Sequence, residues 1–211
     1  MKRLMSMAAA LLLIITLCPQ ARAEGSIYDL MEGSHMDYRV DLVSYYLTEM
    51  YNAAIAGDTE AGRAAECSRN AVMDGEGSSE VRISFDDLYL LARLIQSEAG
   101  CDWLTDDFRM CVGEVVMNRV ASPEYPDSIR EVIYQKGQYS AVCGADFETL
   151  IPSEACVSVA LRLLQGERKM VESVVFQSNT LQGELFTVYT DRRLGSTYFC
   201  VSPNQELYPI G

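Results

Sequence analysis

The chain has 211 residues, and its 30 Asp and Glu outnumber its 17 Lys and Arg, so its formal net charge is −13 at pH 7. This excess of acid argues against nucleic acid as a partner, because nucleic-acid binding needs basic patches that neutralise phosphate. It also argues against binding to anionic lipid surfaces, although it says little about the fold. The length fits one domain, or one domain with a small appendage.

The first 23 residues are typical of a cleavable signal peptide. Lys2 and Arg3 precede an apolar run over residues 7–18, and Ala-Arg-Ala at 21–23 fits a cleavage site. The run is too short to cross a bilayer as a helix, although an uncleaved anchor is the alternative. Cleavage removes three basic residues and no acid, which changes the net charge from −13 to −16. We therefore expect a secreted, extracellular or wall-associated protein without a membrane span after cleavage.

Cysteine usage suggests disulfide bonds. Of the seven cysteines, Cys18 lies in the predicted signal peptide and six remain, which is an even number in an exported chain. Free thiols are the alternative, and the absence of a C-x-x-C pair argues against a zinc ribbon. Short-loop pairing favours the bonds Cys101–Cys111 and Cys143–Cys156, and Cys67–Cys200 would then join the N-terminal region to the C-terminal end.

Hydrophobic periodicity predicts a helix-rich α+β fold with a small sheet late in the chain. The Gly, Ser and acid of residues 74–80 are typical of a linker. They divide the mature chain into a helical hairpin with its linker over 24–83, packed on a main domain over 84–211. The predicted helices cover 37–56, 59–73, 86–99, 105–120, 129–134 and 153–165, and the predicted strands cover 173–177, 187–190 and 197–201.

The single histidine restricts the chemistry. His35 lies in a stretch, 24–36, that reads as a flexible start. A Ser-His-Asp triad, a Cys-His pair and the usual zinc hydrolase sites all need an ordered imidazole. The chain also lacks the glycine-rich phosphate loops of nucleotide enzymes. We expect no metal and no cofactor, which leaves acid catalysis by a carboxyl group on a glycosidic bond.

Glu98 is the candidate acid. It continues the helical stripe formed by Leu91, Leu94 and Ile95 instead of facing the polar side. A carboxyl at the end of a buried stripe is poorly solvated, and its pKa should therefore rise as a general acid requires. The alternative is a structural Glu98 that pairs with Arg119 or caps a neighbouring helix.

Several segments in order resemble the SleB-type cell wall hydrolase family, the spore-cortex lytic enzymes. The resemblance covers roughly residues 85–202. It rests on LYLLARLIQSEAG ending in Glu98-Ala99, VGEVVMNRV (112–120), PDSIREVIYQKGQYS (126–140), FQSN (176–179) and LGSTYF (194–199).

The resemblance implies a lysozyme-like α+β domain that cleaves the bond between N-acetylmuramic acid and N-acetylglucosamine in peptidoglycan. It further implies a lytic transglycosylase, in which Glu98 alone serves as acid and then base. A hydrolytic version would need a second carboxylate, for which Asp102, Asp106 and Asp107 are the nearest in sequence. The family's second Glu is replaced here by Cys101 or Asp102, so its role in positioning substrate does not carry over.

Other matched residues are candidates for substrate binding. Gln138, Tyr139 and Ser140 follow Gly137 in a polar loop, where sugar contact competes with simple turn formation. Asn118 near a helix end is a substrate ligand or a structural residue. Two aromatic residues complete the set: Tyr198 as cleft wall or core, and Trp103 as sugar platform, as apolar cover of Glu98, or as loop packing.

Two other functions remain open from the sequence. The chain can be a non-catalytic module that binds the wall in a retained sugar groove. It can also be a disulfide-rich structural or interaction protein, a reading that rests on composition alone.

Overall fold

Six α-helices and three strands make up the regular structure of residues 35–74 and 81–208, the part of the chain that a computed structural model describes. The predicted signal peptide and linker residues 75–80 lie outside the described residues. Residues 35–44 belong to one unit, and 45–208 are the described part of a second, compact one. The helices are α1 (His35–Ala56), α2 (Thr59–Asp74), α3 (Phe85–Ala99), α4 (Asp106–Ala121), α5 (Ile129–Tyr134) and α6 (Glu154–Leu164), and the strands are β1 (Val174–Ser178), β2 (Leu185–Asp191) and β3 (Gly195–Val201).

The element order confirms the predicted helix-rich α+β class, and most bounds agree within two residues. The assignment of a flexible start is wrong at His35, which is the first residue of α1. Side-chain caps explain why three helices begin where they do. Ser84, Thr105 and Ser128 each accept a hydrogen bond from a backbone N–H in the first turn of α3, α4 and α5. Each such cap stabilises its helix by about 1 kcal/mol.

Helix α3 is the centre of the main core. Its residues Leu88, Leu91, Leu94 and Ile95 are fully buried, and α4, α5 and α6 pack around it. Gly113 lets α4 pack closely against α3 and α6, because an added Cβ would lie 2.5 Å from a methyl carbon of Leu163 and 2.8 Å from one of Ile95. Helix α4 is buried on nearly all sides, so its polar residues are buried as well.

The hairpin packs on the N-terminal end of α3. Gly62 of α2 lies under the ring of Phe85, where a Cβ would meet ring carbons at 2.1 Å. Glu66 accepts the backbone N–H of Phe85 at 2.9 Å, and Arg63 pairs with Asp86 at 2.9 Å. These contacts fix the start of α3 and hence the direction of the helix that carries Glu98.

The three strands form one antiparallel sheet in the order β1-β3-β2. Its inner face packs on α4, where Tyr189 stacks on Phe108 with ring centroids 4.4 Å apart. A second core cluster forms there, and it includes Ala99 at the end of α3 together with Val112 and Phe199. In the described part of the chain, every helix is too short or too polar to cross a membrane.

All six cysteines of the described residues are free thiols. None of the three predicted bonds is therefore formed in this structure. Burial separates two of the pairs: Cys67 and Cys143 are exposed, whereas their predicted partners Cys200 and Cys156 are buried. Short spacing in sequence indicated proximity, but it carried no information about which sulfurs face the core.

We expect alkylation of the native protein to modify Cys67, Cys101 and Cys143 rapidly, because these thiols are exposed. Cys111 should react slowly, since burial raises the pKa of its thiol to about 11. Cys156 and Cys200 should react only on unfolding. Peptide mass spectrometry after alkylation, without prior reduction, reads all six positions. A Cys101–Cys111 cross-linked peptide from the native protein would restore that sequence-based pairing.

Candidate functional site

Glu98 occupies the next-to-last position of α3, where the two parts of the core meet. Ile95, three residues before it, belongs to the main helical core, and Ala99, directly after it, belongs to the core beneath the sheet. Both neighbours are fully buried, while Glu98 is partly exposed. The carboxyl group therefore emerges at the seam between the helical part and the sheet, with apolar side chains behind it.

Burial raises the pKa of Glu98 above that of an ordinary glutamate. Within the described residues, no side chain hydrogen-bonds or ion-pairs with its carboxyl group. The expected alternative, a salt bridge to Arg119, is not formed: Arg119 Nε instead donates to the carbonyl of Val175 at 2.7 Å. A desolvated, unpaired carboxyl retains its proton at higher pH than usual, which is the property of a general acid.

The Glu98→Gln variant should be more stable than the wild type at neutral pH. A raised folded pKa means that the carboxyl contributes stability below its unfolded pKa, and that this contribution is lost as pH rises through the folded value. Glutamine has no proton to lose. The difference in Tm between variant and wild type should therefore be small near pH 4 and should grow toward pH 7. Calorimetry across this range measures it, and a difference independent of pH would contradict the raised pKa.

Tyr139 and Arg119 form a buried polar group close to Glu98. The guanidinium of Arg119 lies 5.4 Å from the ring centroid of Tyr139 and 5.1 Å from that of Tyr125. Burial raises the pKa of Tyr139 to about 12, and the charge of Glu98 contributes to that rise. Tyr139 is only 6% exposed. The expectation that its ring face meets a sugar is therefore corrected, because that face is covered, and its hydroxyl is buried as well.

Three polar atoms of this region are buried without a hydrogen-bond partner in the described part of the chain: Tyr139 Oη, Arg119 Nη1 and Gln177 Oε1. A buried polar atom without a partner costs about 1–3 kcal/mol, so a bound polar ligand would stabilise all three. Gln177 was missed as a site residue, although it lies in the FQSN segment. It is two residues after Val175, the acceptor of Arg119, and side chains two apart share a strand face. The sequence signal that could have identified Gln177 is a polar residue within a short, mostly apolar predicted strand.

The structure corrects the substrate-binding assignment of Asn118. Its side chain is 2% exposed, and its amide donates to the carbonyls of Val171 and Val174, both at 3.0 Å. The residue therefore ties α4 to the start of β1, which is the structural alternative. With Arg119 it fixes the position of β1 against α4.

Gln138 and Ser140 are exposed on either side of buried Tyr139. Gly137 has φ +83°, a conformation that favours glycine, and Gln138 N donates to Gln135 O to close the turn. The turn explains the conformation of this loop, while the exposed side chains remain accessible. Their contact with sugar stays a prediction.

Trp103 and Tyr198 lie in different surroundings. Trp103 is 48% exposed; the guanidinium of Arg193 lies 4.6 Å from its ring centroid, and its indole N–H helps to lower the pKa of nearby Asp191. Its observed neighbours therefore belong to the turn between β2 and β3. Tyr198 is half-buried on β3, between Val188 of β2 and Ser178 of β1.

The other acids near Glu98 in sequence have partners of their own. Asp106 pairs with Arg109 at 2.8 Å, and Asp107 pairs with Lys169. Asp102 is exposed in the loop after α3. Over the described ranges, no group of three or more His, Cys, Asp or Glu is arranged to hold a metal ion.

Glu114 was missed by the sequence analysis and is fully buried. Its carboxylate accepts the backbone N–H groups of Lys169 and Met170, at 2.9 and 2.8 Å. It therefore holds the segment that leads into β1. Burial raises the pKa of Glu114, while these two hydrogen bonds act in the opposite direction. The group is structural, because both neighbours it binds are main chain.

No curated protein and no solved structure gives a significant match to the chain. A family match covers the C-terminal part, from the start of α4 to the end of β3, just under half of the 211 residues. Glu98 lies eight residues before it, whereas Arg119, Tyr139 and Gln177 lie within it. Residues 106–200 match the sequence model of the Cell Wall Hydrolase family.

Proposed function

We propose that this protein cleaves the glycan strands of peptidoglycan, at the bond between N-acetylmuramic acid and N-acetylglucosamine, with Glu98 as the general acid and base. The observation that carries the proposal is the state of Glu98: a partly buried carboxyl with a raised pKa and no partner in the described residues. The family similarity of residues 106–200 supports the wall as substrate.

The proposed reaction needs one carboxyl group. Protonated Glu98 donates its proton to the glycosidic oxygen, the bond from that oxygen to C1 of the muramic ring breaks, and an oxocarbenium-like centre develops at C1. The Glu98 carboxylate then takes the proton of the 6-hydroxyl of the same ring, whose oxygen attacks C1. The products are a free 4-hydroxyl on glucosamine and a 1,6-anhydro muramic end, and Glu98 is protonated again.

The surroundings of Glu98 support this lytic transglycosylase route. A hydrolytic, inverting route needs a second carboxylate roughly 6.5–9.5 Å away to activate water. Asp106 and Asp107 are held in ion pairs, and burial alone, with no carboxylate neighbour, raises the pKa of Glu98.

Tyr139 Oη, whose phenol is close enough to Glu98 to sense its charge, is a candidate hydrogen-bond donor beside the proposed acid, and Arg119 Nη1 and Gln177 Oε1 offer a further donor and an acceptor. We assign them to polar substituents of the sugar, for which the N-acetyl group offers both a carbonyl and an N–H. Gln138 and Ser140 flank this group on an exposed loop, and Trp103 and Tyr198 are the candidate aromatic contacts.

The proposed compartment is the cell exterior, because residues 1–23 have the pattern of a signal peptide. A mature charge of −16 is repelled by a wall rich in free acids. Spore cortex, with fewer free acids, is therefore the substrate we favour.

Mass analysis of the products tests the mechanism. Purified sacculi incubated with the mature protein should yield muropeptides with 1,6-anhydro ends, which resist borohydride reduction. Reducing ends in their place would overturn the transglycosylase route and would point to a water-activating carboxylate instead. Sedimentation with sacculi without any new ends would favour the non-catalytic binding module.

A further inference from the structure

A second depression lies at the opposite end of α3 from Glu98. Its volume is about 240 Å³, and α2, α3, α5 and the short turn at 147–149 surround it. Leu90 of α3 lines it. Eight residues separate Leu90 from Glu98, which corresponds to about 12 Å along a helix axis. The depression is therefore separate from the candidate active site.

Three of the 17 basic residues of this acidic chain surround the depression: Arg63, Arg93 and Arg130. Only part of their hydrogen-bonding capacity is used. Arg63 pairs with Asp86 through Nε. Arg93 donates to the carbonyl of Leu150 and pairs with an exposed carboxylate at 3.4 Å. Among the described residues, Arg130 has no carboxylate partner. Since a guanidinium carries five N–H donors, Arg130, which is exposed, has donors available to a ligand, whereas the Arg93 side chain is only 14% exposed.

Two of the guanidinium groups lie over aromatic rings. The guanidinium carbon of Arg93 lies 4.3 Å from the ring centroid of Tyr89, and that of Arg130 lies 4.9 Å from that of Tyr134. Contact with a ring restricts the positions that a guanidinium can take. A guanidinium whose position is restricted is suited to binding a carboxylate through two parallel hydrogen bonds.

Carboxylates are as numerous as arginines in the lining, with Asp86, Asp87 and Glu148. Burial and the charges of Asp86 and Glu66 raise the pKa of Asp87, so a cation brought next to it would be favoured. A ligand that is only anionic would meet these three acids. The lining instead suits a ligand with both carboxylate and ammonium groups.

We propose that this depression binds the peptide stem of peptidoglycan, with its carboxylates on Arg93 and Arg130 and its free side-chain ammonium on Asp87. The choice of the stem as ligand rests on the proposed function. A stem carries carboxylates and a free ammonium on one short chain, which matches the mixed arginine and carboxylate lining. The site therefore selects glycan strands whose peptide stems keep a free side-chain ammonium group, that is, stems that are not cross-linked through that group.

Calorimetric titration of the mature protein with the soluble tetrapeptide L-Ala-γ-D-Glu-diaminopimelate-D-Ala tests the site without catalysis. We expect binding that weakens at high salt and that weakens at least about tenfold in Arg130→Gln. Arg192→Gln, which removes an exposed arginine outside the depression, is the matched control and should bind normally. Equal affinity of Arg130→Gln and Arg192→Gln would overturn the proposal.

A double-mutant cycle tests the ammonium contact. Acetylating the free ammonium of the peptide should weaken binding to the wild type by about tenfold and should have no effect on Asp87→Asn. Asp127→Asn, at an exposed aspartate, serves as control and should resemble the wild type. Inorganic phosphate binding as tightly as the peptide would identify a general anion site and overturn the assignment.

Failure of this proposal is distinguishable from failure of the proposed function. Glu98→Gln should bind the tetrapeptide normally, because the two sites are separate. Arg130→Gln should raise KM on stem-bearing sacculi and leave kcat, and all activity on amidase-stripped glycan, unchanged. Cleavage of glycan without peptide binding overturns the stem site alone, and peptide binding without cleavage overturns the catalytic role alone.

Discussion

The Glu98→Gln variant should release muropeptides from purified sacculi at least about 10³-fold more slowly than the wild type. Glutamine has nearly the same shape as glutamate, but it cannot donate a proton to the glycosidic oxygen or take one from the 6-hydroxyl. Because Glu98 performs both proton transfers in the proposed mechanism, the single substitution removes both of them. The loss should appear in kcat, while binding to sacculi should change little.

The stability of this variant separates chemistry from folding. Because burial raises the pKa of Glu98, the amide should leave the Tm equal or higher at neutral pH. Glu172→Gln replaces an exposed glutamate in the segment before β1 and should keep full activity. Full activity in Glu98→Gln, or an equal loss in Glu172→Gln, would remove Glu98 from the proposed role.

The Glu114→Ala variant should lose about 3 kcal/mol of unfolding free energy, the largest effect that we expect on stability. The substitution leaves two N–H groups without their acceptor, that of Met170, which is buried, and that of Lys169, which is partly buried. A buried unsatisfied donor costs about 1–3 kcal/mol. It also opens a cavity at a fully buried position of α4. Relief from burying a charged group offsets part of this loss.

Urea unfolding followed by circular dichroism measures the change. Glu114→Gln keeps one acceptor oxygen and should fall between wild type and Glu114→Ala. Glu172→Ala, in the same segment of the chain but exposed, should change the free energy of unfolding by less than about 0.5 kcal/mol. A Glu114→Ala protein as stable as the wild type would mean that the Lys169–Met170 segment does not depend on this carboxylate.

Helix periodicity predicted most of the helices. The structure shows that Ser84 and Ser128 fix the starts of α3 and α5, because their hydroxyl groups accept a hydrogen bond from a backbone N–H in the first turn. The predicted stripe of Leu91, Leu94 and Ile95 is buried, and Glu98 at its end is partly exposed. The position of Glu98 between two core clusters depends on tertiary packing, which helical periodicity does not predict.

The roles of Asn118 and Glu114 could not be predicted for a different reason. Helix α4 is buried on nearly all sides, so its polar residues are not on a solvent face, and their roles depend on which carbonyl or N–H faces them. Those partners, at Val171, Val174, Lys169 and Met170, lie more than fifty residues away in sequence. The predicted cysteine pairs are not formed in the structure for a similar reason, because spacing in sequence does not show which thiols are buried.

The measurement that tests the central claim most directly is the identity of the bond broken in intact sacculi. Purified sacculi incubated with the mature protein are analysed in parallel for new glycan ends and for new free amino groups. If Glu98 cleaves the glycan strand as a general acid, the digestion should yield soluble muropeptides with new glycan ends, and the number of free amino groups should not rise. Solubilisation accompanied by new amino groups, without new glycan ends, would show that the protein cuts the peptide part of the wall and would contradict the account.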